Sequence, residues 1–213
     1  LLLLTLDAWR MKSEAGRAKS HVAAGRQVFV MEGVWLFVLA VNFWNIFGAG
    51  VFGSLINLPI VNYYEHATYM TGNHAHAAMF GVKGNIALGG MLFCGQHLLP
   101  KALWNEKLIK TSFWSLQIGL LMMMTMDLFP IGMYQLMIVF QEGLWYARSQ
   151  EILTGPVWRF FTYARSIGGT LFIVGGVFPL IWLFVSRAGS LRKETPELEQ
   201  EGEWTVYEKD WAA

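Results

Sequence analysis

Hydrophobic residues in this chain gather into long runs separated by short polar stretches. Four runs reach the ~20 residues that a helix needs to cross the hydrocarbon core of a bilayer. They fall at about 28–49 (VFVMEGVWLFVLAVNFWNIFGA), 74–98, 112–140 and 166–186 (SIGGTLFIVGGVFPLIWLFVS). The third is rich in methionine and is interrupted by Pro130. The pattern predicts an all-α, polytopic transmembrane helix bundle with a four-span region over 28–187. Residues 1–6 (LLLLTL) run straight into a basic segment and are expected to be the last turns of a truncated helix. With no basic n-region and no small-residue cleavage site they are not expected to be a signal peptide. The chain is thus expected to be a fragment, or one piece of a larger assembly.

Composition supports this reading. The 213 residues are 54% hydrophobic and only 15% charged, where soluble domains carry about 25% charged residues. The charges crowd into 7–26, 101–110 and 187–210. Basic residues favour alternate loops: Arg10, Lys12, Arg17, Lys19 and Arg26 precede the first span, 50–73 has none, and 99–111 has Lys101, Lys107 and Lys110. The tail opens with Arg187, Arg192 and Lys193. The positive-inside rule then predicts a cytoplasmic loop at 7–27 and an acidic cytoplasmic tail at 188–213. The segment 141–165 fits least well, because it carries Arg148, Arg159 and Arg165. A net charge of +1, with no basic stripe interleaved with aromatics, excludes a nucleic-acid partner. The single cysteine, Cys94, cannot form an intrachain disulfide and is expected to be a small buried residue.

The candidate chemistry lies in GNHAHAAMFGVKGN, residues 72–85. Successive helical residues turn by about 100°, so His74 and His76 diverge by about 200° and cannot chelate one ion together. They can ligate two separate centres on opposite sides of one helix. Ala75, Ala77 and Ala78 keep the neighbourhood sparse, and Gly81, Gly84, Gly89 and Gly90 allow close approach. Flat macrocycles on both flanks would suit that economy, since imidazole is a common axial ligand of haem iron. Polar residues near span ends also serve simply to hydrogen-bond a neighbouring helix, but ionisable groups within a span are functional candidates.

The stretch NFWNIFGAGVFGSLINLPIVNYYEHATYMTGNHAHAAMFGVKGN, followed by LFCGQHLLP, resembles the C-terminal part of the quinol-dependent nitric oxide reductases, members of the haem-copper oxidase superfamily. FWSLQIGLLMM, LFPIGMYQ and GLWYARSQE resemble that family too. The resemblance covers about 28–187 and corresponds to roughly the last third of a family member. It implies that His74 is the proximal ligand of a high-spin haem b3, and that His76 is one of two axial ligands of a low-spin haem b. It further implies a non-haem iron beside haem b3 whose ligands lie outside this chain, a bacterial cytoplasmic membrane location and quinol as the electron donor. The reaction implied is reduction of two NO to N2O and water, as in denitrification, once the chain is joined to the remainder of its catalytic subunit or a partner chain.

Two residues depart from the family pattern. Lys83 stands where an aromatic is usual, and Asp127 where a small neutral residue is usual. Their positions on adjacent antiparallel spans suggest a buried ion pair, the alternative being that each meets water or a backbone carbonyl. These departures leave open a dismutase-like relative that turns NO into N2 and O2. Non-catalytic readings also stand: a haem-carrying electron-transfer or assembly subunit, or a purely structural membrane subunit. Lesser candidates are Glu65 and His66 for proton entry at the outer end, and Arg148 as a partner for a haem propionate. Glu32 is expected as a surface carboxylate near the cytoplasmic end of the first span, and His21 and His97 in solvated cytoplasmic loops. Met122, Met123, Met124 and Met126 are expected to pack rather than to bind copper.

Overall fold

The computed structural model describes residues 3, 6, 10, 32–98 and 104–186. The expected loop at 7–27 and tail at 188–213 therefore lie almost wholly outside the described residues. All regular structure within them is helical, and no strand occurs among them. Four helices are long and apolar enough to cross a membrane: Gly33–Asn57, Tyr69–Gln96, Glu106–Glu142 and Pro156–Val185. These are the first to fourth spans below.

Each span exceeds its hydrophobic run, mostly at the end shared with the 58–68 or 143–155 connection. The first continues to Asn57, where Leu58 turns to extended backbone (ψ 125°) ahead of Pro59, as a residue before proline favours. A short helix, Pro59–Glu65, follows. Ala67 then takes a left-handed turn at φ 59°. The second span starts at Tyr69 because Thr68 caps it, its hydroxyl accepting a bond from Met70 N at 3.3 Å. The histidines consequently sit one to two turns inside the helix. The fourth span starts at Pro156, so Arg159 and Arg165 lie on it and only Arg148 remains in the preceding connection. His97 falls on the last turn of the helix Asn85–Leu98, a correction to its expected place in a loop.

In every span the α-helix loosens into π winding: Asn45–Phe52, Ala77–Gly84, Met124–Leu128 and Leu171–Val177. Two of these segments lead directly into a proline, Pro130 and Pro179, each in the first turn of the helix that follows. Proline removes an N–H and crowds the carbonyl four residues back. A wider turn just before it absorbs both faults, so the third span runs through Pro130 instead of ending there. The other two π segments carry paired glycines, Gly48 with Gly50 and Gly81 with Gly84.

Winding affects which residues are covered. Along the second span Asn73, Ala77, Gly81, Asn85 and Gly89 are buried, and Ala75, Met79, Lys83, Ala87 and Met91 are exposed. Burial recurs every fourth residue, about 90° per step, between α and π winding. His74 and His76 therefore flank the buried stripe on opposite sides, close to 180° apart.

Small residues let the spans close up, which is how helices associate where apolar burial alone gives no advantage. Gly48 lies against Ala77, and a Cβ on Gly81 would stand 2.5 Å from Trp44 Cγ. Gly119 and Gly168 meet backbone to backbone: a Cβ on Gly119 would stand 2.8 Å from Gly168 O, and one on Gly168 would stand 2.9 Å from Gly119 O. Around these contacts a core forms from Phe37, Trp44, Leu92, Phe113, Leu120 and Leu180, among others. Amide side chains tie three spans together: Trp44 Nε1 donates to Gln117 Oε1 (2.7 Å), Gln117 Nε2 to Asn85 Oδ1 (2.8 Å), and Asn85 Nδ2 to Gly81 O (2.7 Å). Outward faces stay apolar, with Phe160 and Trp182 each 67% exposed, as expected where lipid or further helices replace water.

Candidate functional site

His74 and His76 close the helix Tyr69–His76, whose first turn is fixed from the third span. Gln135 Oε1 accepts from Tyr69 N at 2.9 Å, while its Nε2 donates to Ala147 O at 3.1 Å. This buried amide thus holds both the start of the histidine helix and the connection opposite. Arg148, on that connection, reaches the same corner, its Nη2 donating to Ala67 O (3.1 Å) and His66 O (3.5 Å). Here the guanidinium secures the left-handed turn at Ala67, a conformation that costs a non-glycine residue about 1–2 kcal/mol.

Each imidazole is oriented through its Nδ1. His74 Nδ1 lies 2.8 Å from Gly48 O on the first span, and His76 Nδ1 lies 2.9 Å from Gly72 O on its own helix. A carbonyl oxygen can only accept, so both rings carry their proton on Nδ1 and leave the Nε2 lone pair free. Neither Nε2 has a hydrogen-bond partner among the described residues. Metal-bound histidines are held in this way, with the far nitrogen donating to a carbonyl or carboxylate. Gly48 belongs to a π segment, and so do Gly81 and Gly176, whose carbonyls accept from Asn85 and from Ser112 Oγ. Wide winding at a glycine leaves a carbonyl open to a side chain.

The surroundings of the two rings differ. His74 faces the first span, where a Cβ on Gly53 would stand 3.0 Å from its Cε1. Above it Glu65 is 4% exposed with Oε1 unpartnered among the described residues. Burial pushes the Glu65 carboxyl above the usual carboxylate range. His76 instead meets Phe80 at a 5.5 Å ring separation, and Phe80 meets Phe172 of the fourth span at 5.8 Å. Asn73, on the buried stripe that the two rings flank, is 1% exposed and neither of its amide atoms is partnered among the described residues.

This donor set fits haem. Two imidazoles present free Nε2 atoms on opposite sides of one helix, each beside apolar and small residues. It does not fit a multi-ligand metal centre: no group of three or more His, Cys, Asp or Glu converges among the described residues.

Several expectations are corrected. Asp127 is buried, but its partner is Arg165: Nε of the arginine lies 3.3 Å from Asp127 Oδ2. Lys83 is exposed on the side of the second span opposite its buried stripe and takes no part in that pair. Cys94 is exposed rather than buried. Met124 packs in the core, with Met123 against it, whereas Met126 faces outward. Gln117, Asn85 and Gln135 went unnoticed in the sequence, and Arg165 was counted only among the loop charges. The available signal was that each is a strongly polar residue inside or beside an apolar run.

The sequence profile of the family described as cytochrome c and quinol oxidase polypeptide I matches residues 21–171. No curated protein matches the chain. The matched stretch contains both histidines, the carbonyls that orient them and the three amide-linked spans. The chain therefore belongs to the family of cytochrome c and quinol oxidase polypeptide I, the subunit I of the haem-copper oxidase superfamily, and is a multi-pass membrane protein of an oxidoreductase family.

Proposed function

We propose that this chain is the haem-binding C-terminal portion of a nitric oxide reductase, with His74 as proximal ligand of high-spin haem b3 and His76 as an axial ligand of low-spin haem b. The observation that carries the assignment is the pair of Nδ1–carbonyl bonds, which leave two Nε2 lone pairs directed to opposite sides of one helix. Bound haem would supply the one-electron chemistry needed to convert two NO, two electrons and two protons into N2O and water. The chain's own residues orient the ligands: Gly48 O sets the His74 tautomer from a neighbouring span, and Gly72 O sets that of His76 within the helix. The wall shared by both sites is a single helix, which keeps the two centres close and rigidly spaced. The non-haem iron would take its ligands from outside the described residues.

Membrane orientation follows the basic residues. With Arg159 and Arg165 on the fourth span, the connection 143–155 holds Arg148 alone, which sharpens the contrast with the lysines of 99–111. The histidines then lie toward the outer face of a bacterial cytoplasmic membrane, and the tail lies in the cytoplasm. Quinol is the proposed donor.

The test is spectroscopic and uses the complete assembled enzyme. His74→Ala abolishes the high-spin haem signal and spares the low-spin one, and His76→Ala does the reverse. Retention of both haems in both variants overturns the assignment. Metal analysis giving two haems and no non-haem iron would favour an electron-transfer subunit instead.

A further inference from the structure

Asp127 is the most deeply buried charged side chain among the described residues, with 0% of its surface exposed. Its only charged partner there is Arg165, at 3.3 Å, and neither carboxylate oxygen accepts a hydrogen bond among those residues. The pair joins the third and fourth spans well inside the membrane, where an ionised group persists only with a specific reason. Arg165 is 34% exposed, but desolvating the carboxylate costs about as much as the attraction returns, so packing alone does not account for the pair.

Its placement supplies a reason. The turn Met124–Leu128 packs on the histidine helix Tyr69–His76 on one side and on the helix Pro156–Thr170 on the other. Leu128 Cδ2 would lie 3.9 Å from a Cβ on Gly72, the residue whose carbonyl orients His76. The rings of His76, Phe80 and Phe172 continue the contact to the fourth span. His76 is seven residues into its helix and Arg165 nine residues into its own, depths of about 10 and 14 Å at 1.5 Å per residue. The pair therefore stands close to the level of the His76 ring, on a turn packed against the histidine helix.

We infer that Asp127, held in place by Arg165, is a positioning charge that lowers the reduction potential of the iron centre bound at His76 and leaves the centre at His74 far less affected. The inference rests on the proposed iron at His76. A fixed negative charge in a low-dielectric interior favours the oxidised, more positive form of a nearby metal. His74 faces away, toward the first span, so the carboxylate acts on one centre selectively. The Arg165 guanidinium favours the ionised carboxylate and fixes its place.

The experiment is a spectroelectrochemical titration of both haems in the complete enzyme. Asp127→Asn is expected to shift the low-spin reduction equilibrium about tenfold toward the reduced form, ~59 mV for a one-electron couple, with a much smaller change at the high-spin haem. Asp127→Glu keeps the charge and is expected to hold the wild-type potential. If Asp127→Asn does not assemble, the double variant Asp127→Asn with Arg165→Gln buries no unpaired charge. It is expected to give a smaller shift in the same direction, about threefold or ~28 mV. An unchanged low-spin potential, or equal shifts at both haems, overturns the inference. Loss of the low-spin signal in His76→Ala tests the underlying assignment separately, so the two failures are distinguishable.

Discussion

The two sides of the histidine helix solve the same problem by different means. On the His74 side the imidazole is held by a carbonyl from another span and lies against Gly53, so its orientation depends on how the first and second spans dock. On the His76 side the imidazole is held by its own helix, is flanked by Phe80 and belongs to a helix packed against the turn that carries Asp127. One site is set by packing between spans and the other by local geometry. Two residues apart in sequence, the rings are therefore open to independent adjustment.

Perturbing each wall in turn should separate the two sites. Gly53→Leu drives a side chain into the space of the His74 ring, since even a Cβ would stand 3.0 Å from its Cε1. The expected result is loss of most high-spin haem, read from the optical spectrum, with low-spin haem retained. The matching change on the other side, Gly72→Ala, places a Cβ 3.9 Å from Leu128, an ordinary contact. Both haems should survive it, and loss of the low-spin signal would refute the view that His76 is locally held.

Gln135→Leu should affect both sites together, because it releases the start of their common helix and strands Tyr69 N and Ala147 O. A loss of about 1–3 kcal/mol is expected, measured by thermal unfolding, with the two haem signals falling in parallel. Gln117→Leu breaks the link between Trp44 and Asn85. Intramembrane hydrogen bonds average about 0.6 kcal/mol, so a loss of about 1 kcal/mol with unchanged spectra is expected.

The smallest effect belongs to Glu65, on the His74 side only. Its folded-state pKa is raised by burial, so the protonated form is the one the fold favours. The stability it contributes is full below the ordinary carboxylate range and is lost as pH rises through the raised value. Glu65→Gln, which mimics the protonated acid, should flatten that part of the pH–stability curve. A curve identical to wild type would show that Glu65 does not titrate there.

The four spans and the divergence of the histidines were legible in the sequence because hydropathy and helical geometry suffice for both. Span ends were not, since a cap such as Thr68 or a proline such as Pro156 starts a helix in polar sequence that hydropathy assigns to a loop. That error hid the partner of Asp127: with Arg165 counted in a loop, Lys83 was the nearest available cation. π winding compounded it. Burial at every fourth residue turns Lys83 away from the packed face, which α-helical phasing alone would not reveal. The carbonyls of Gly48 and Gly72 carried no signal at all, because backbone acceptors are identical at every position.

The π segment Ala77–Gly84 can also be regarded as an α-helix carrying one residue too many. Deleting a single residue there and restoring α winding would nearly cancel, because eight steps of about 100° turn the far half almost as far as nine of about 90°. Asn85 would keep its approach to Gln117 while His74 and His76 kept their places. In such helices the widened turn absorbs a one-residue insertion or deletion, so a lineage can change the length of one half of a membrane helix without re-aiming the histidines on the other.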